Sequence, residues 1–106
     1  LYYQNGGLSD ALYEVDLATF EVIRTFKGEG HARQILLDRE RDRLYVLGYF
    51  SGKAFALDLE TGRRVWTVKV GGSPHGMALD GDVLWINSMA GVLKLDLETL
   101  EGQHRR

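Results

Sequence analysis

The chain of 106 residues sets 13 Lys and Arg against 15 Asp and Glu and has no cysteine, so it offers nucleic acid no basic field and has neither disulfides nor thiolate metal sites. Its 44% apolar and 26% charged residues are the balance of a globular chain able to bury a core, outside the disordered class. No apolar run approaches the roughly 18 residues of a membrane-spanning helix, so no membrane span is expected.

Taken in chain order, the segments repeat. LYYQN at 1–5 is a short leucine-aromatic strand, and YEVDLAT at 13–19 is a second strand running into a turn. EGHARQILLD at 29–38 has a histidine opening a strand and an aspartate closing it. One complete unit follows from there: an inner strand at about 32–38, the charged turn RERD, a second strand at 43–50 that contains LYVLG, and a turn at Ser51-Gly52. A third strand at 53–59, the turn Glu60-Thr61-Gly62 and an outer strand at 63–70 finish it. Then the series restarts with SPHGMALD at 73–80, LWINS at 84–88 and LKLDLET at 93–99. No segment asks for a helix.

The spacings agree on a period near forty residues. Asp16 to Asp58 is 42, Asp58 to Asp96 is 38, and His31 to His75 is 44, the range of a four-stranded propeller blade. Middle strands such as LYVLGYF and VLWIN are nearly continuous apolar runs, as expected where neighbours cover both faces of a sheet, whereas TVKV alternates. In the turn spelled DLETG, Gly62 supplies the positive φ of a tight bend, and Asp58 and Thr61 can accept hydrogen bonds from backbone amides. The third copy has Leu100 in place of that glycine and the first has Phe20, so those turns need another geometry.

The run DLETGRRVWTVKVGGSPHGMALDGDVLWINSMAGVLKLD resembles the YVTN-type β-propeller repeat, with its DxxTG turn, V-G-x-x-P-H-G link and Y-V-T-N-like strand. Ala56, Asp58, Thr61, Gly62 and Trp66 also resemble the AxDxxTGxxxW signature of propellers related to pyrroloquinoline-quinone enzymes, and the resemblance implies that Trp66 docks one blade on the next. Ile23 and the final EGQHRR supply no matching tryptophan. The expected fold is all-β, a β-propeller fragment of about 10–11 strands in four-stranded antiparallel blades: a partial blade at 1–30 that lacks its inner strand, a complete blade at 31–74 and a nearly complete one at 75–106. Some two and a half blades do not close a ring that usually has four to eight. Further blades of the same parent chain, or other copies or subunits, are the expected partners.

Candidate sites are few. His31 and His75 hold matching positions at the mouths of inner strands, where imidazoles repeated around a ring could bind a metal or an anionic ligand. Occurrence in step with the repeat equally suits histidines that tie one blade to a loop of the next. Asp16, Asp58 and Asp96 read as turn formers, and Asp80-Gly81-Asp82 as a hairpin turn in place of a calcium loop, which needs six to eight oxygens. Tyr45, Tyr49, Phe50, Phe55, Trp66 and Trp85 fall on strands as inter-blade core, with room for one or two as a ligand platform. There is no G-x-S-x-G elbow and no phosphate loop, and no cofactor or metal is expected.

Function is therefore open between classes. A binding or interaction scaffold is the first reading; the alternatives are part of a propeller enzyme, quinoprotein-like or resembling the glutamine cyclotransferases through DLATFEVIRTF at 16–26, and a structural subunit of an assembly. The look-alikes imply a periplasmic, secreted or cell-surface location, with the cytoplasm left open.

Overall fold

A computed structural model describes residues 2–4, 11–15, 18–19, 21–27, 32–48 and 51–104. Three antiparallel sheets follow one another along the chain. The first joins β1 (Tyr2–Gln4), β2 (Ala11–Val15) and β3 (Val22–Lys27) in that order; the second joins β4 (Ala32–Asp38), β5 (Arg43–Gly48), β6 (Lys53–Asp58) and β7 (Arg64–Lys69). The third is β8 (Gly76–Asp80), β9 (Val83–Ser88) and β10 (Gly91–Asp96), followed by α1 (Leu97–His104). Each sheet is a blade wound from hairpins between neighbouring strands.

The middle blade shows why its strands are apolar throughout. Leu44, Val46, Phe55, Leu57 and Leu59 form one buried cluster with Ile35 and Leu37, while the alternate residues Tyr45, Leu47, Ala54, Ala56 and Trp66 are buried against the third blade's Met77, Leu84, Ile86 and Leu95. Both faces of this sheet are covered, each large side chain contributing about 1.5–3 kcal/mol. β9 differs from the uninterrupted burial expected of VLWIN: Leu84, Ile86 and Ser88 are buried, and Trp85 and Asn87 are exposed. Only one of its faces has a neighbour among the described residues.

The repeat extends to its irregularities. β2 and β3 slip register between Glu14 and Val15, and β6 and β7 slip between Ala56 and Leu57, so a bulge recurs at the same place 42 residues on. This register pairs Glu14 with Arg24 and Ala56 with Trp66. The residue at the tryptophan position of the first blade is thus Arg24, eight residues after Asp16 as Trp66 is after Asp58, and not Ile23. Arg24 does the joining by polar means: its Nε meets Glu14 Oε1 at 2.6 Å and its guanidinium donates to the Leu59 carbonyl of the next blade.

The helix corrects the expectation that no helix would form. In the middle blade Gly62, at φ 76°, donates to the Asp58 carbonyl (2.7 Å), Asp58 Oδ1 accepts from the Glu60 amide (2.9 Å) and Thr61 Oγ1 from the Arg63 amide (3.2 Å); the chain turns back into β7. In the third blade Leu100 replaces that glycine, and a left-handed leucine costs about 1–2 kcal/mol. The chain keeps turning right-handed instead. Asp96 Oδ1 then accepts from the amides of Glu98 (3.1 Å) and Thr99 (3.3 Å), which are the second and third helical residues, so the aspartate caps α1. Leu97 is fully buried and Leu100 packs one turn later on the same core.

One close approach ends the β6–β7 ladder of the middle blade. Gly52 has φ 65°, accepts from the Val70 amide at 2.8 Å, and a Cβ built on it would stand 2.8 Å from the Gly71 carbonyl oxygen. Gly81 has φ 60° with nothing within 4 Å of such a Cβ. Gly52→Ala is therefore expected to cost about 2 kcal/mol or more in urea unfolding, and Gly81→Ala about 1 kcal/mol, the difference being the backbone collision.

Candidate functional site

Four places carry polar chemistry, and two of them, at Gln34 and Arg43, join the second and third blades. At the end of β4, Asp38 is 3% exposed and accepts from the Tyr45 hydroxyl (2.6 Å), the Arg41 amide (3.2 Å) and the Arg41 guanidinium (3.1 Å). Burial pushes its carboxyl up, but the Tyr45 and Arg41 hydrogen bonds together outweigh burial and leave it below its ordinary value. Burial and the adjoining carboxylate push the Tyr45 phenol well above its usual range. The pair joins a turn to a core aromatic whose ring stacks on Trp66 at 5.8 Å.

Nearer the inner strands, Gln34 spans the seam. The Met77 amide donates to Gln34 Oε1 (2.7 Å) and Gln34 Nε2 donates to the Met77 carbonyl (3.2 Å), so one side-chain amide satisfies both backbone groups of a residue in the next blade. At the opposite end, Arg43 holds Glu101 of α1 through Nε (2.6 Å) and, more loosely, Nη2 (3.5 Å), with Asp58 at 3.6 Å from Nη1. This fork borders a cleft of ≈ 500 Å³ that Glu40, Arg41 and Glu98 also line. Both of its arginines are paired, Arg43 with Glu101 and Arg41 with Asp38, which describes a clamp on α1.

The fourth place is the outward face of the third blade. Trp85 is 39% and Val92 69% exposed there, with Lys94 over the indole at 5.8 Å. Trp85 and Val92, together with His75, Ala78 and Asn87, border a shallow depression of ≈ 340 Å³. Register identifies what this face is. Tyr45 pairs with Ala56 and Leu47 with Ala54 in the middle blade; Trp85 pairs with Lys94 and Asn87 with Val92 in the third. Trp85, Val92 and Lys94 thus stand where Tyr45, Ala54 and Ala56 stand, and those three are at most 1% exposed beneath the third blade. The depression is a blade face without its cover among the described residues.

His75 has an exposed side chain at the rim of that face, and its amide donates to the Asn87 carbonyl at 2.6 Å. His31 and Asp16 lie outside the described residues, as do Tyr49 and Phe50, so the two histidines are not brought together here. Asp80 and Asp82 flank Gly81 in the two-residue hairpin between β8 and β9, and both are exposed. Among the described residues no three His, Asp or Glu side chains gather to hold a metal ion. Sequence reading missed the Gln34 clasp and the Arg43–Glu101 fork, since residues 43 and 58 apart leave no local pattern, and it missed the Asp38–Tyr45 bond across the β4–β5 hairpin; only the alignment of LYVLG with LWINS pointed toward the Tyr45 and Trp85 equivalence.

No family model matches the chain, and no curated protein matches it. Solved structures do. The chain is similar to part of hydrazine synthase from Kuenenia stuttgartiensis (TM-score 0.76, 18% identity over 86% of this chain and 28% of that one). It is likewise similar to AztD from Citrobacter koseri (0.74, 17%, 94% and 30%) and to BamB from Moraxella catarrhalis (0.66, 18%, 92% and 31%). These neighbours are propeller-type proteins, and this chain spans under a third of the length of each. At such identities the likeness concerns the fold alone: the chain is built as blades of a β-propeller.

Proposed function

We propose that the chain is a binding scaffold, an arc of a β-propeller ring whose strand mouths and loops hold a ligand or protein and whose ring is completed by further blades of the parent chain or by other copies. The observation that carries it is the outward face of the third blade, where Trp85, Val92 and Lys94 repeat the positions of the buried Tyr45, Ala54 and Ala56. An apolar sheet face with this exposure marks an interaction surface. The ligand side of the reading rests on His31 and His75 at the mouths of inner strands. The periplasmic, secreted or cell-surface setting we propose follows the YVTN-type resemblance.

The solution mass of the 106-residue chain tests the scaffold. The expected result is association above 12.0 kDa accompanied by shielding of Trp85 from a neutral fluorescence quencher. A folded monomer that stays at that mass at all concentrations, with Trp85 open to the quencher, overturns it.

A further inference from the structure

We propose that α1 is a latch over the cleft between the second and third blades, and that Arg43 works it by exchanging Glu101 for Asp58. Shut, the helix lies against β7 with Glu101 in the Arg43 fork. Open, the chain from Glu98 onward leaves the cleft, while Leu97 stays buried as the pivot and the three sheets stay folded. The latch is independent of the scaffold reading and takes nothing from it.

The helix is held weakly by its own sequence. Its eight residues fall below the roughly 12–15 at which an isolated helix becomes even marginal in water. Gly102 interrupts it, and a Cβ built there would meet nothing within 4 Å, so no close approach calls for the glycine. Glu98 and Thr99 are exposed, and Leu100 is half-buried against the core that contains Trp66. Among the described residues, the ion pair that ties the helix to the second blade is that of Glu101.

Arg43 stands between two carboxylates. Its Nε lies 2.6 Å from Glu101 Oε1 and its Nη1 lies 3.6 Å from Asp58 Oδ1, and Asp58 is its direct partner across the β5–β6 ladder. On the β4 side its partner Asp38 is already held by Tyr45 and Arg41. A largely buried guanidinium that loses its one carboxylate is left with an uncompensated charge, which is what ordinarily keeps such a clamp shut. Here Asp58 receives it: a small turn of the guanidinium brings Nη1 onto that carboxylate, and one charge-assisted bond replaces another. Release then gives up the burial of Leu100 and the helical hydrogen bonds. It opens the ≈ 500 Å³ cleft that Glu98, Glu101 and Gly102 line on one side and Glu40, Arg41 and Arg43 on the other.

Amide hydrogen exchange on the full chain tests the latch, read at Gly102, Gln103 and His104 relative to Leu84 and Ile86 of β9, which are fully buried and lie in a strand paired on both sides. Glu101→Gln keeps the side chain's shape without its charge and is expected to speed exchange in α1 by about ten-fold while β9 is unchanged. Gly102→Ala is expected to slow it by about five-fold. Asp58→Asn discriminates: its side-chain oxygen still accepts from the Glu60 amide, but the charge that receives Arg43 in the open state is gone, so exchange in α1 is expected to slow by about three-fold or more. A fixed network in which Asp58 supports the fork gives the opposite sign. Faster or unchanged relative exchange in Asp58→Asn therefore overturns the proposal, as does Glu101→Gln speeding β9 as much as α1.

Discussion

Asp38→Ala is expected to lower the unfolding free energy by about 3 kcal/mol in urea titrations, because it leaves the buried Tyr45 hydroxyl without its acceptor and Arg41 without its counter-charge. Asp38→Asn keeps an oxygen in place and is expected to cost about 1–2 kcal/mol. The same bond sets both limbs of the pH profile. With the folded Asp38 carboxyl below its ordinary value, its stabilising contribution is present above the unfolded value near 3.9 and is lost as pH falls through the folded one. The Tyr45 phenol is displaced the other way; its contribution is present below roughly pH 10 and is lost as pH rises beyond, since the unfolded chain ionises first. Asp38→Asn should flatten the acid limb and Tyr45→Phe the alkaline one. An acid limb equally steep in the asparagine variant would reject this assignment.

Trp66→Ala is expected to cost about 3–5 kcal/mol, as the indole fills the seam between two blades beside Tyr45 and the buried Leu97. Trp66→Phe should be far milder, at about 1 kcal/mol. The reason is specific: the indole N–H is buried without an acceptor, so a phenyl ring loses volume but also relieves an unsatisfied donor, two effects of opposite sign. Chemical denaturation of both variants decides the matter. Were phenylalanine as damaging as alanine, stacking geometry and not filled volume would be holding the seam.

The fold was legible because the physics that builds a blade is local. Hairpin turns write themselves in Gly, Asp and Thr, strands in runs of Val, Leu and aromatics, and the recurrence of Asp58 and Asp96 in one heptapeptide pattern fixes a period. The same pattern misled at its third copy. DLET carries an aspartate whose side chain receives the amide two residues on, and that service suits a hairpin turn and a helix N-terminus alike; whether the next residue accepts a positive φ decides between them, as Gly62 and Leu100 show. Of the candidate face only the strand equivalence was legible. Tyr45 and Trp85 occupy equivalent leucine-aromatic strands, and nothing within LYVLG or LWINS records that one ring lies under a neighbouring blade and the other does not.

The Gln34 clasp has a mechanical consequence. Its two hydrogen bonds to Met77, at 2.7 and 3.2 Å, run side by side from one inner strand to the next. A load sliding the strands past one another strains both bonds at once, whereas a load prising the blades apart from the rim reaches them last, after the Arg43 fork and the Trp66 seam have given way. The inner strands thus behave as the hinge pin of the arc, and the outer strands and α1 as the leaves that swing about it.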